Sequence, residues 1–433
     1  MVEELKSQIE KVFGKKITSR GDCELLSDDL HRKIGVVISY NTLRRLYGLA
    51  EYRQPRTSTL NHLSNYIGYK SYQDFTQRFA EVDSWPAWER LYVVIAKSEI
   101  EQIIQELRYR QLNKLQFAIS FTVVTRELLL RRRMDLLVQL FRSPFFQFSE
   151  MPYDDVAQIG VLTGLIFRTY SNDEDEKVLL NEPNFRDLIL KIYVDYSRLN
   201  ERYGLWIHWL KDFEGLDLET KTFIRCISIW KDFLSMKKFN LKSISSLPDL
   251  NLDQHPILYG RLFGLKLMAA STPQLKSALV RKMKSRISSS ISSRIELLHE
   301  PAVQALVTRN KQLVHFVHEQ LQLITEIYSW YNISQISVLN VFHVSVLIAK
   351  KEYAKALSIL ENIPLGHIRH GYRDFMDLYI SFFKYKIAIH LNRESETLLN
   401  DFQLKRESLT YKIFNDEYFH SYFVIPISHY ASP

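Results

Sequence analysis

The sequence predicts an all-α protein, a small helical head followed by a long array of packed helices. Three observations carry that expectation. Hydrophobic residues make up 46% of the chain and charged residues 24%, the balance of a polypeptide that buries a core. Only 13 glycines and 12 prolines occur in 433 residues, too few for the many turns of an all-β fold. Leu, Ile, Tyr and Phe recur at helical spacing through long unbroken stretches. So long a chain exceeds one ordinary core, and the pattern changes near residue 80, which sets a head at 1–80 and a body at 81–433.

In the head, Leu5, Ile9, Val12 and Phe13 share one face of a helix over 3–13 that Gly14 ends. A second helix spans 21–34, with Asp22 as its cap, Leu26, Leu30 and Ile34 at four-residue spacing, and Gly35 as its stop. Ser39 opens a third helix, because its hydroxyl can accept from an unpaired N–H of the first turn. Gly48 closes it, because the residue just past a helix commonly takes positive φ. Between these ends, Leu43, Leu46 and Tyr47 form an apolar back, and Asn41, Arg44 and Arg45 form the front. Arg hydrogen-bonds in two places to guanine O6 and N7, and Asn to adenine N6 and N7, so such a front suits base recognition. A plain solvated face is the commoner meaning of a charged stripe, and here the flanks favour recognition. Tyr52 to Arg56 is a basic loop. Thr57 or Ser58 caps a fourth helix with Leu60, Leu63 and Ile67, closed by Gly68. Ser71 and Asp74 frame a last helix that buries Tyr72 and Phe75.

Taken together, Ser39-x-x-Thr42-Leu43-x-Arg45, Gly48, a loop with Pro55, then Thr59-Leu60-x-x-Leu63-x-x-x-Ile67-Gly68-Tyr69 carry a likeness. Over residues 17–79 the chain resembles the lambda-repressor/Cro-type helix-turn-helix family. It is similar also to an N-terminal unit that recurs in bacterial proteins with helical C-terminal regions. The resemblance implies a double-stranded DNA partner. By position it implies groove contacts from Ser39, Asn41, Arg44 and Arg45, and phosphate contacts from Arg53, Arg56, Thr57 and Ser58, with Tyr40 counted among the DNA-binding residues. The connection from Gly35 to Ser39 is about two residues longer than the family's tight turn.

Charge agrees with this placement. The net charge is +8, and residues 1–80 hold 13 Lys and Arg against 9 Asp and Glu, half of the excess in under a fifth of the chain. Residues 30–60 alone hold six Arg or Lys and one Glu, as a phosphate-binding surface would, although a patch of this size equally suits ordinary surface.

In the body, Glu81 to Pro86 is a junction at which Asp83 or Ser84 caps the next helix. Three or four helices follow to Arg142, with Arg131, Arg132 and Arg133 a solvated helix end whose cations offset the dipole, a DNA-backbone contact being the less common alternative. Pro144, Pro152 and the acidic run 172–176 punctuate the next section. Further helices are expected at 185–199, 202–213, 218–236, 256–270, 273–285, 292–299 and 301–331. Asn340 to Lys350 and Glu352 to Leu360 form a pair with Tyr353-x-x-Ala356-Leu357-x-x-Leu360, the small alanine marking a close contact. This pair is similar to a tetratricopeptide hairpin, and helices at 369–391 and 393–414 continue it. The body therefore resembles a degenerate, solenoid-like helical repeat, with a globular helical bundle as the alternative.

The motifs of common enzymes are missing. Gly160-Val-Leu-Thr-Gly164 lacks the lysine and the strand of a phosphate-binding loop, and no Gly-x-Ser-x-Gly or His-Glu-x-x-His occurs. His315 and His318, and likewise His367 and His370, have no third ligand nearby. No enzyme activity, cofactor or metal is expected. Trp206, Trp209, Trp330 and Tyr331 are candidates for a ligand groove in the body, although such aromatic pairs more often fill a core. Cys23 and Cys226 show no metal or redox spacing, which suits a reducing cytoplasm. The amino terminus has no signal-peptide pattern. The longest apolar run, Val338 to Ala349, is far short of the roughly 20 residues of a membrane span. The expected function is a cytoplasmic, bacterial-type, sequence-specific DNA-binding transcriptional regulator. Its body would dimerise, since paired half-sites call for a homodimer, or sense a peptide or protein partner. The alternative is an interaction scaffold whose head binds protein in place of DNA.

Overall fold

The computed structural model describes all residues except 52, 82–84, 98, 112, 149–150, 152, 238–240, 252–254, 290–293, 325–332 and 424–433, and the side chains of 77–81, 153–154 and 241. All regular structure among the described residues is helical, with 24 α-helices and no strand. The protein is thus all-α, as expected. It divides into two compact units, Met1–Ser171 and Asn172–Pro433.

The first unit holds α1 (Val2–Phe13), α2 (Arg20–Ile34), α3 (Tyr40–Leu46), α4 (Thr57–Tyr66), α5 (Tyr72–Glu81), α6 (Trp85–Lys97), α7 (Ile100–Arg110), α8 (Lys114–Leu130), α9 (Met134–Arg142) and α10 (Tyr153–Tyr170). Helices α1 to α5 close around a core of their own that includes Leu5, Ile9, Cys23, Leu26, Leu30, Leu43, Leu46, Leu63 and Phe75. Tyr109 of α7 joins this core, its ring 5.4 Å from that of Tyr69. Gly14, Gly35, Gly48 and Gly68 all take positive φ just past the first four helices, the conformation that makes glycine a good stop. Three details differ from the sequence-based expectation. The cap of α2 is Ser19, which accepts from Asp22 N, while the Asp22 carboxylate accepts from Ser19 N in return, a complete capping box. Helix α4 begins at Thr57, so Thr57 and Ser58 are its first residues, not caps, and Arg56 stands at the cap position without a side-chain bond. Val12 is exposed, because the α1 face buried by its neighbours centres on Leu5 and Ile9.

The second unit runs through α11 (Asp173–Leu179), α12 (Pro183–Phe185), α13 (Arg202–Lys211), α14 (Leu218–Leu234), α15 (Leu241–Ser245), α16 (Pro256–Ala269), α17 (Pro273–Ser289), α18 (Arg294–Thr308), α19 (Lys311–Leu321), α20 (Ile333–Ala349), α21 (Tyr353–Glu361), α22 (His370–His390), α23 (Glu396–Ser408) and α24 (Asp416–Ser421). Helices α16, α18, α20 and α22 pack as successive neighbours, with α17, α19 and α21 against them. The sequence explains which helices form the inner row. Helix α20 is apolar almost all round and buries residues on every side, whereas α17 has one stripe, Leu279, Met283 and Ile287. The expected hairpin of α20 and α21 is present, with Ala356 fully buried where α21 meets its neighbours.

Two expected helices are redrawn. The stretch 185–199 is not one helix: a π turn covers Arg186–Leu190 and a 3-10 turn Tyr196–Arg198. Here the Arg186 guanidinium donates from Nη1 to the carbonyls of Leu180 and Asn181, both at 2.8 Å, bonds that tie the π turn back to the preceding chain. The break expected ahead of Pro301 falls instead after Thr308. Pro301 lies inside α18, and the chain turns at Arg309, where φ is 55°, before Asn310 caps α19 through Leu313 N. The far end of the expected 301–331 helix lies outside the described residues.

A buried polar cluster ties the inner row together. Arg261 of α16 donates to Glu300 Oε1 of α18 at 2.6 Å. The hydroxyls of Tyr196 and Tyr372 donate to Glu300 Oε2 and Oε1 at 2.6 and 2.8 Å. Burial, the largest influence, would raise the Glu300 carboxyl, but the Arg261 charge and the hydrogen bonds from Arg261 and Tyr196 together hold it below the usual glutamate range. Burial pushes the neighbouring His299 down to about 4, so it is neutral at pH 7. No helix among the described residues is long and apolar enough to cross a membrane.

Candidate nucleic-acid interface

Helix α3 is seven residues long and owes its shape to its two ends. At the start, the Ser39 hydroxyl accepts from Thr42 N at 3.2 Å. At the finish, Leu49 N donates to Arg44 O at 2.8 Å and Gly48 N to Arg45 O at 3.3 Å, the paired bonds of a Schellman turn closed by glycine. Leu43 and Leu46 are buried beneath it, and the Tyr47 hydroxyl donates to Lys6 O at 3.3 Å, pinning α3 to α1. The long connection from Gly35 to Ser39 is tied back onto α2 by Ser27, whose hydroxyl donates to Ile38 O at 2.7 Å.

On this frame the front residues differ in freedom. Asn41 is exposed and Arg45 half-buried, and neither the Arg45 guanidinium nor those of Arg53 and Arg56 has an ion-pair or hydrogen-bond partner among the described residues. Arg44 is turned along the protein instead: its Nη1 reaches Asn41 Oδ1 and its Nη2 reaches Leu49 O, both at 3.4 Å. Tyr40 is half-buried under the Arg20 guanidinium, 4.8 Å from its ring centre, and Arg20 is in turn bonded to Glu24 at 2.8 Å. Ser39, Arg53, Arg56, Thr57 and Ser58 are exposed, and no side chain caps the first N–H groups of α4. Those open donors and the positive end of the helix dipole sit beside the Arg56 charge, an arrangement suited to an anion. Tyr52 of the basic loop lies outside the described residues. Arg20 is the residue that sequence reasoning missed; it stands on another helix, and only the fold brings it over Tyr40.

Helix α2, which packs against α3, opens on a buried carboxylate. Lys15, Ser19 and Thr18 all bond the Asp22 carboxylate and hold it far below the usual aspartate range. A carboxylate lowered in this way stabilises the fold above its unfolded value of about 3.9, and that contribution is lost as pH falls through the folded value. The head is therefore expected to lose stability on acidification below about pH 4, and Asp22→Asn to flatten that loss. Thermal melts across acid pH check this; an unchanged acid limb in the variant would remove Asp22 from the account.

The other predicted positions fall elsewhere. Arg131, Arg132 and Arg133 form the turn between α8 and α9. Arg133 makes a two-pronged ion pair with Asp135, and Arg131 pairs with Glu127, which leaves neither guanidinium unpaired. In the second unit, Trp206 is buried, its Nε1 donates to Glu176 Oε2 at 2.6 Å, and its ring packs on Phe185 and Tyr203. Trp209 is half-buried, and Trp330 and Tyr331 lie outside the described residues. A cavity of about 420 Å³ does open beside this segment, with Leu210, Lys211, Leu218, Lys221 and Arg225 in its wall, but neither Trp206 nor Trp209 lines it. Compared with known protein families, curated proteins and solved structures, the chain matches none.

Proposed function

We propose that the protein is a sequence-specific, DNA-binding transcriptional regulator, with α3 presented to the major groove and the start of α4 to the phosphate backbone. One observation carries this reading: Arg45, Arg53 and Arg56 gather on one short stretch of the head with no partner among the described residues, next to exposed Asn41. Arg45 stands on a short capped helix and Arg53 and Arg56 on the loop that leads into α4, and phosphate is the abundant anion that matches such cations. Within this reading Asn41 and Arg45 face base edges, Arg53 and Arg56 neutralise phosphates, and Arg44 steadies the helix end. The helical-repeat row of the second unit supplies surface for a protein or peptide partner.

The test is a salt titration of binding to duplex DNA. If about 4–8 phosphates are neutralised, log K is expected to fall with log salt at roughly 0.9 per phosphate. Arg45→Ala is expected to cost about 1–3 kcal/mol on a preferred sequence and to relax that preference. Arg56→Ala should weaken all sequences alike and lower the salt slope by about one. Wild-type protein that retains no duplex at low salt would defeat the proposal and favour a head that binds protein.

A further inference from the structure

Helix α6 shows an unusual face to water. Ala87, Leu91 and Ile95 are buried on its inner side, yet Trp85 is 80% exposed and Tyr92 and Val93 are each 45% exposed. At about 100° per residue, Trp85, Glu89, Tyr92, Val93, Ala96 and Lys97 fall on one side, and all six are exposed. Four of the six are apolar or aromatic. A contiguous exposed stripe of this kind, with two aromatic residues along one edge and a charge of each sign within it, has the composition of a protein interface.

We propose that α6 is a self-recognition surface that pairs antiparallel with α6 of a second copy, about a two-fold axis passing beside Val93. Charge decides both the occupant and the direction. Glu89 and Lys97 stand four residues to either side of Val93, and neither has an ion-pair partner among the described residues. Antiparallel pairing about Val93 sets Glu89 opposite Lys97 of the second copy, and Lys97 opposite its Glu89. Parallel pairing would set Glu89 against Glu89 and Lys97 against Lys97, which costs free energy at both places. The surface is thus complementary to itself in one orientation, the requirement for a closed two-fold dimer. Trp85 and Tyr92 lie to one side of this centre, about 80° and 100° round the helix from Val93, and add large side chains at the edge of the contact. Dimerisation through α6 goes beyond the DNA-binding reading and stands without it.

The test uses the full chain and light scattering at micromolar concentration. The wild type is expected to be a dimer. Glu89→Lys alone and Lys97→Glu alone each place like charges together and should weaken dimerisation by about tenfold or more. The double variant Glu89→Lys/Lys97→Glu restores the opposite pairs and should restore the dimer. Val93→Cys on the axis faces its own copy, so mild oxidation should give a disulfide-linked dimer, while the native Cys23 and Cys226 are buried. Circular dichroism shows that each variant is folded. A monomeric wild type, single reversals without effect, a double variant that stays monomeric, or failure of the cysteine to cross-link would each overturn the interface. DNA retention by the same samples is a separate readout. A monomer that binds DNA rejects this interface alone, and a dimer that binds none rejects only the proposed function.

Discussion

Glu300→Ala is expected to destabilise the second unit by about 3–5 kcal/mol, because it strands a buried cation. Arg261 is 2% exposed and Glu300 is fully buried, so water cannot replace the lost carboxylate. The variant removes the acceptor of three donors at once: the Arg261 guanidinium and the hydroxyls of Tyr196 and Tyr372. Each buried polar group left without a partner costs about 1–3 kcal/mol, and a charged one more. Arg261 has nowhere else to turn, since it lies over the Phe223 ring at 5.0 Å and its Nε already lacks a hydrogen-bond partner. Removing both charges together is a different matter. Arg261→Met with Glu300→Leu removes the stranded cation and substitutes apolar bulk for the pair, so the double variant should recover part of the loss, the remainder being the Tyr196 and Tyr372 hydroxyls that still lack their acceptor. Urea unfolding followed by tryptophan fluorescence reports on this unit through buried Trp206 and Trp230. A midpoint shift for Glu300→Ala no larger than that of Glu361→Ala, at an exposed position, would show that the pair does not hold the row together.

How far the fold could be read from the sequence depends on how its helices end. In the head the stops are glycines, and Gly14, Gly35, Gly48 and Gly68 all take the positive φ that makes glycine legible as a stop. Elsewhere the same left-handed position is taken by Arg132, Met236, Arg309, Lys351 and Asn392. Four of these turns close as Gly48 does, with Arg133 N on Leu128 O, Lys237 N on Asp232 O, Glu352 N on Leu347 O and Arg393 N on Ala388 O. A side chain in that conformation costs about 1–2 kcal/mol, and packing of the helices on either side outweighs it. Asn392 is a residue type that tolerates this conformation, but nothing in the sequence marks the other four, the stop at Arg309 among them. Pro301, an ordinary breaker, misled in the opposite sense.

The candidate site was legible to a similar depth. Periodicity placed Asn41, Arg44 and Arg45 on one face, because that follows from spacing alone. Spacing could not tell that Arg44 bends toward Leu49 O while Arg45 has no partner among the described residues. The use of Trp206 was equally hidden, since its partner Glu176 lies 30 residues earlier in the chain. The same limit applies to Arg261 and Glu300, 39 residues apart. Contacts across helices are set by which helices become neighbours, and residue spacing within one helix carries no record of that.

Gly260→Ala tests the tightest of those neighbour contacts. Gly260 lies in α16 against α18, at the turn where Pro301 lacks the N–H that would bond Leu297 O. The glycine fits against that carbonyl: an added Cβ would stand 2.4 Å from Leu297 O and 3.1 Å from Pro301 Cδ. The first of these is backbone and cannot swing away, so the two helices must separate. One turn later Gly264 meets the Gln304 amide, whose Nε2 donates to Arg261 O at 3.1 Å. Separation therefore also draws Arg261 away from Glu300. Two effects oppose each other here. Alanine is favoured over glycine inside a helix by about 0.8–1.0 kcal/mol. Overpacking a buried site costs about 1–3 kcal/mol, and occasionally more where backbone must move. With the Arg261–Glu300 pair stretched as well, the clash should win, and Gly260→Ala is expected to lower stability by about 2 kcal/mol or more. Combined with Glu300→Ala the loss should fall short of the sum of the two, because both act on the same crossing. Urea unfolding of the two single variants and the double measures both statements. Stabilisation by Gly260→Ala near the helix-propensity gain would mean that α16 and α18 do not meet at this glycine, and strict additivity would mean that the crossing and the buried pair are independent.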